Sequence, residues 1–261
     1  MNNEGIRFSV LYLGRMECKK LCLVDDDDPE EMIKSPVSAL LIQHPKLGNI
    51  LVDTGNSPYY HGEYSKETQT TYPIVEYISI EQALWEKGLT VDDIDMIILT
   101  HLHFDHAGGL HYFMKSKAFH NILVAEEELK NAFFSVMTGN DGAYVKELFD
   151  LEGICYRTYR DRLELSKDLI LFSQKCHTPA CTGLIIRTAS GKVVIDTSDA
   201  VYTRESYEAR IAPGGHINKT QEEFFQNLDV LEQIRQDWGG EFLYGHDYEQ
   251  IRELNRMGWI D

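Results

Sequence analysis

Apolar residues in this chain gather in short runs between polar turns, a rhythm of strands with helices between some of them. Residues 6–13, Ile-Arg-Phe-Ser-Val-Leu-Tyr-Leu, predict a strand. Residues 37–44 and 49–53 predict two more, joined by a turn from Pro45 to Gly48. Further buried runs fall at Met96 to Leu99, 120–124, 169–173 and 241–244. A second hairpin, 182–187 with 192–196, turns at Ser190-Gly191. Elsewhere the spacing is helical. Ser79 and Gln82 form a capping pattern before an apolar stripe of Ile80, Leu84 and Trp85 that stops at Gly88. Glu126 to Met137 carries Leu129, Phe133 and Met137 on one face. Thr220 with Glu223 caps a helix running to about Gln236, with Phe224, Leu228, Leu231 and Ile234 inward. The pattern predicts an α/β protein, sheets covered by helices.

Two hairpins echo each other. Ile-Leu-Val-Asp-Thr-Gly at 50–55 parallels Val-Val-Ile-Asp-Thr-Ser at 193–198, which points to two similar sheet-rich halves. Three stretches lack a clear period. Residues 25–31 hold four aspartates and two glutamates and predict a solvated loop. Residues 56–77 predict a long loop whose five tyrosines wall a pocket. Residues 140–165 give no usable signal.

Composition narrows the picture. At 261 residues the chain fits one domain, 1–261. The charge of −17 (25 basic, 42 acidic residues) excludes nucleic acid and anionic membranes as natural partners. No apolar run is long enough to span a membrane, and the first residues lack a signal-peptide pattern, so a cytoplasmic protein is expected. Five cysteines, Cys18, Cys22, Cys155, Cys176 and Cys181, do not make a disulfide framework. Cys18 and Cys22 have zinc-ligand spacing, but no second pair or nearby histidine completes a site, so free thiols are expected. Oligomeric state is left open.

Candidate chemistry concentrates after the run Met96 to Leu99. His101, His103, Asp105 and His106 occupy six positions, followed by Gly108-Gly109, in a chain with ten histidines. Alternate extended residues point the same way, so His101 and His103 converge on one ion, while Asp105 and His106 face a second past a bend. Asp53, at a strand end beside Gly55, fits either an ordinary turn or a group orienting metal ligands. His177, Asp199 and His246 each follow another predicted strand. Together the set suits two zinc-like ions bridged by a carboxylate. Cys176 and Cys181, flanking His177, are an alternative pair of soft ligands.

The motifs His101-Leu-His103-Phe-Asp105-His106-Ala-Gly-Gly, His177-Thr-Pro, Asp199-Ala and Gly-His246-Asp resemble those of the metallo-β-lactamase superfamily. That resemblance implies an αββα sandwich, two mixed sheets flanked by helices, with a dinuclear site at one sheet edge. Within it the sequence is most similar to N-acyl homoserine lactonases, through His101 to Gly109, Asp199-Ala-Val-Tyr202 and Gly245-His246-Asp247. Thr100 replaces their usual serine, and Cys176, Ala180 and Cys181 replace a glycine, a glycine and a histidine around His177. The resemblance implies a quorum-quenching hydrolase acting on a small-molecule lactone or ester. His101, His103 and His177 would hold one ion, Asp105, His106 and His246 the other, and Asp199 would bridge them. Asp105 would shuttle a proton and Tyr202 would hydrogen-bond the carbonyl. The ions would be zinc, with iron, manganese or cobalt as alternatives. A glyoxalase-type thioesterase is the alternative activity.

Overall fold

The computed structural model describes residues 5–25, 28–214 and 221–261. Thr220, read as a helix cap, and Asp26 and Asp27 of the acidic stretch lie outside them. Two long strands, β1 (Arg7–Lys19) and β2 (Met32–His44), pair antiparallel, and β3 (Gly48–Val52) returns beside β2. The stretch expected to be a loop at 56–77 instead holds two short helices and a strand: α1 (Tyr60–Glu63), α2 (Lys66–Thr71) and β4 (Ile74–Tyr77). β4 pairs with β1 where β1 kinks at Gly14. Gly14 has φ +101°, and a Cβ there would sit 2.1 Å from the Glu76 carbonyl oxygen, so only glycine fits.

After α3 (Ile80–Glu86) comes β5 (Met96–Ile98), then the short α4 (Phe104–Ala107), β6 (Ile122–Ala125) and α5 (Glu126–Thr138). The unread stretch 140–165 forms α6 (Lys146–Phe149), β7 (Tyr156–Tyr159) and β8 (Arg162–Ser166). The second half continues with β9 (Leu169–Gln174), the hairpin β10 (Cys181–Arg187) and β11 (Val193–Asp196), and α7 (Arg204–Glu208). α8 (Gln221–Trp238), β12 (Glu241–Leu243) and α9 (Tyr248–Met257) complete it.

Among the described residues these strands form two mixed sheets, ordered β4-β1-β2-β3-β5-β6-β7 and β12-β11-β10-β9-β8. Strand alternation decides the layers. Val10, Ile42, Ile50, Val52 and Ile98 face Leu169, Leu171, Leu184, Ile186 and Val194 in a core between the sheets. The intervening residues Leu11, Leu41, Leu51 and Ile97 face outward onto Ile80 and Leu84 of α3, Ala132 of α5 and Phe149 of α6. On the far side Ile170, Phe172, Ile185 and Ile195 pack on Phe224, Leu228 and Leu231 of α8. The result is the expected helix–sheet–sheet–helix sandwich.

Two stripe residues do not pack as expected: Trp85 is 74% exposed and Met137 72%. Ile80, Ala83 and Leu84 share the buried face of α3, and Trp85 is rotated about 140° from Ile80 at 100° per residue. α5 buries Glu128, Ala132 and Ser135 instead, which turns Met137 to solvent. α9 was not visible in the apolar pattern, since only Ile251 is fully buried in it. Its N-terminus is capped by Asp247, which accepts from the Gln250 N–H.

Candidate metal centre

Strand β5 ends in a fully buried segment, Leu99 to Leu102, that carries His101 into the space where the edges of the two sheets meet. The chain then turns through α4, with His103 as its first carbonyl acceptor. Gly108 and Gly109 follow, and their lack of a side chain is a steric requirement. A Cβ on Gly108 would lie 2.3 Å from Ser57 N, and one on Gly109 2.2 Å from Thr54 O. This close approach lets Thr54 N–H donate to His106 O at 2.7 Å, locking the motif against the end of β3.

The other expected residues arrive from separate strand ends. His177 lies between β9 and β10, Asp199 in a 3-10 turn (Ser198–Ala200) after β11, and His246 after β12. All seven converge. Three groups have donor atoms within 4.8 Å of one another: His101, His103 and His177; His101, His106 and Asp199; and Asp105, His106 and His246. His177 Nε2 is 3.0 Å from His101 Nε2 and 2.9 Å from His103 Nδ1. Asp199 Oδ2 is 3.1 Å from His246 Nε2, 3.6 Å from His177 Nε2 and 3.7 Å from His101 Nε2, and Oδ1 is 3.3 Å from His106 Nε2. Asp105 Oδ2 is 3.7 Å from His246 Nε2 and 3.8 Å from His106 Nε2.

These residues fit bound metal. Ligands about 2.05 Å from a tetrahedral ion stand about 3.3 Å apart, close to the spacings here. His106 Nε2 and Asp199 Oδ1 face each other without a hydrogen bond, and neither has another partner. A cation between the groups satisfies both. Burial and neighbouring imidazoles push His101 and His103 well below the usual histidine range, and burial lowers His177 to about 4. Neutral imidazole is the ligand form. Burial works against ionisation of Asp199, yet the imidazoles of His246 and His106 hold its carboxyl well below the usual range.

A surrounding layer of hydrogen bonds aims each ring. Asp53 Oδ2 accepts from His106 Nδ1 at 2.8 Å and from Thr100 Oγ1 at 2.7 Å, while Asp53 Oδ1 accepts from Thr100 N–H at 2.8 Å. Asp53 is therefore an orienting carboxylate, held in a left-handed conformation with φ 61°. Thr100 Oγ1 also meets His101 Nδ1 at 3.0 Å. His246 Nδ1 meets Pro36 O at 2.8 Å and Ser35 Oγ at 3.0 Å. Tyr202 Oη lies 2.7 Å from His177 Nδ1. In each case the outer nitrogen is engaged, which leaves Nε2 of His101, His106, His177 and His246 facing inward.

Sequence reasoning missed one supporting residue. Glu128 of α5 is fully buried and its Oε1 accepts from Leu102 N–H at 2.9 Å and Tyr144 Oη at 3.1 Å. Leu102 sits between His101 and His103, and the Tyr144 ring packs 4.5 Å from the His103 ring. Glu128 lies in a run of three glutamates, so no local pattern marked it.

Some expected roles fall away. Cys176 and Cys181 do not belong to any of the donor groups among the described residues, and burial pushes both thiols upward in pKa, against metal-binding thiolates. Of the five tyrosines, Tyr64 is mainly structural, its hydroxyl tied to Phe104 O, Asn56 Oδ1 and Ser57 N–H. Tyr60, Tyr64 and Tyr72, with His61, Gln69 and Ile74, line a cavity of ≈ 130 Å³. Tyr59 is exposed at 61%.

Residues 33–246 match the model of the metallo-beta-lactamase superfamily. The chain belongs to that superfamily. N-acyl homoserine lactonase AiiB of Agrobacterium fabrum is 29% identical to it over 240 residues, covering 85% of this chain and 83% of that protein. An N-acyl homoserine lactonase of Bacillus sp is 29% identical over 231 residues, covering 86% of each. Among solved structures, an N-acyl homoserine lactone hydrolase with the product N-hexanoyl-L-homoserine at its catalytic metal centre superposes with a TM-score of 0.79. It is 25% identical and covers 95% of both chains. A dizinc quorum-quenching lactonase, AidC, shares the fold at 15% identity, with a TM-score of 0.69.

Proposed function

We propose that this protein is a metal-dependent hydrolase that opens the ring of N-acyl homoserine lactones, and so quenches quorum signals. The observation that carries the reading is the convergence of seven donors, Asp199 among them, in a chain similar to named lactonases over most of its length. His101, His103 and His177 are assigned to one ion, Asp105, His106 and His246 to a second, and Asp199 to both. Imidazole and carboxylate donors suit zinc. When bound, two divalent ions supply Lewis acidity that makes water nucleophilic at neutral pH and polarises a carbonyl.

The protein's own groups do the rest. With His177 Nε2 turned inward, its proton sits on Nδ1 and is donated to Tyr202 Oη. The Tyr202 hydrogen is then free to donate to the lactone carbonyl oxygen as charge grows there. Burial raises the Asp105 carboxyl above its usual range, so it can accept a proton from the attacking water and return it to the leaving alkoxide. The two sheets share one core, so the chain is read as one domain. Cys18, Cys22, Cys155 and Cys181 form no disulfide, which fits a reducing, cytoplasmic compartment. No helix among the described residues is long and apolar enough to cross a membrane. The test is acid release, followed by pH-stat, from N-acyl homoserine lactones, thioesters and β-lactams on metal-loaded protein. Turnover of the lactones is expected. Turnover of thioesters alone would move the protein to the glyoxalase-type activity.

A further inference from the structure

The donors around Asp199 leave one reactive cluster unused, the thiols at the end of β1. Cys18 is the penultimate residue of β1, and the chain then folds through a single 3-10 turn, Lys20–Cys22. Leu23 N–H and Val24 N–H both return to Lys20 O at 2.8 Å, which tightens the turn and brings Cys22 over Cys18. Cys22 and Tyr72 both pack against the apolar cluster that holds Cys18, so the Cys18 thiol and the Tyr72 hydroxyl act on the Cys22 sulfur. Cys18 is buried at 1% exposure, whereas Cys22 is half-buried and reachable from solvent. These two sulfurs do not belong to any three-donor metal group among the described residues.

The pair is part of the wall of the site. Cys18, Leu23, Val24 and Tyr202 form one apolar cluster, against which Cys22 and Tyr72 pack. The Tyr72 ring also lies 6.0 Å from Phe104, which stands between His103 and Asp105, and Tyr72 lines the ≈ 130 Å³ cavity. We propose that Cys18 and Cys22 are a peroxide-oxidisable dithiol on the wall of the site, with Cys22 as the attacking thiol and Cys18 as the resolving one.

The chemistry is that of an accessible thiolate beside a second thiol. The Cys18 thiol and the Tyr72 hydroxyl, with Lys19 nearby, lower Cys22 to about 7 against the penalty of burial. Cys22 thiolate attacks one peroxide oxygen. An S–O bond forms, the O–O bond breaks, and hydroxide leaves as water after taking up a proton. The Cys18 sulfur then attacks the sulfenic sulfur, the S–S bond forms, and the S–O bond breaks to release a second water. Two thiols and one peroxide become one disulfide and two waters. Cys18 and Cys22 flank one 3-10 turn and pack in one cluster, so a rearrangement of that turn is what brings the sulfurs to bonding geometry. Closing the disulfide shifts the turn against which Tyr72, on the cavity wall, packs.

The test uses metal-loaded full-length protein with about one equivalent of hydrogen peroxide. Trypsin cuts after Lys19 and Lys20, so a disulfide joins peptide 16–19 to peptide 21–34. The expected result is that cross-linked pair, loss of two of the five thiols, and reversal by dithiothreitol. Cys22→Ser removes the cross-link, and Cys18→Ala leaves Cys22 to over-oxidise or to form an adduct. Resting on the lactonase reading, KM for the lactone rises about fivefold on oxidation, as the wall carrying Tyr72 is displaced, with kcat little changed. The mass readout stands whatever the substrate is. Peroxide adding oxygen to exposed Cys155 first, or to Cys22 with no cross-link in the wild type, would overturn the proposal.

Discussion

The two halves of the chain build the same kind of sheet edge but use it differently. β3 runs antiparallel to β2 and parallel to β5. β11 likewise runs antiparallel to β10 and parallel to β12. An aspartate stands at the end of each, Asp53 just after β3 and Asp196 as the last residue of β11, followed two residues later by a left-handed residue, Gly55 at φ 78° and Ser198 at φ 46°. In the first half Asp53 turns towards His106 and Thr100 and supports donors supplied by a neighbouring strand. In the second half Asp196 accepts from Ser198 N–H, and the turn it shapes carries Asp199 into the centre. The first half thus delivers four donors from one continuous motif with a carboxylate behind them. The second delivers His177, Asp199 and His246 one at a time. A repeated backbone fixes where side chains can be aimed, and the residues at its ends decide whether they support or bind.

The difference can be broken at its strongest point first. Asp199 faces donors of both halves, so Asp199→Ala should release most of the metal and lower kcat/KM by about a thousandfold or more. Metal content by mass spectrometry, alongside lactone turnover, checks this. Asp53→Asn removes the carboxylate behind the first-half motif. Metal affinity, measured by chelator competition, should fall about 10- to 100-fold, with the weaker ion on the His106 side. Tyr202→Phe should leave two ions per chain while kcat falls about 10- to 100-fold, since one hydrogen bond to the developing charge is lost. Glu128→Gln should have the smallest effect. The isosteric amide keeps the volume but accepts more weakly from Leu102 N–H, so affinity for the ion held by His101, His103 and His177 should drop about tenfold. Equal weakening of both ions in Asp53→Asn and Glu128→Gln would erase the distinction between the two supports.

Legibility in the sequence followed the range of the interactions involved. β5 and the motif after it were plain because three consecutive buried residues and four donors sit side by side. His177, Asp199 and His246 were found by their shared position after strands and by resemblance, and the sandwich brings them together. Asp53 was ambiguous because a turn aspartate and an orienting one look alike until His106 is placed 2.8 Å away. Glu128 was invisible, since its value lies in a bond to Leu102, 26 residues earlier, and the two residues before it are also glutamates. β7 was hidden by its polar, half-exposed residues, and α9 by having one fully buried position. Trp85 and Met137 show the opposite failure, apolar residues near the right period that fall on the solvent side of their helices. The tyrosines of 56–77 show a composition but no period, so α1, α2 and β4 leave no signal in the sequence.

The central claim is that seven donors assemble two ions around Asp199 for lactone hydrolysis. Its most direct test is stepwise return of zinc to metal-stripped protein, with acid release from an N-acyl homoserine lactone measured at each addition. The account predicts negligible turnover without metal and a rise that levels off at two ions per chain. Undiminished turnover by the stripped protein, or full activity reached with a single ion, would contradict it.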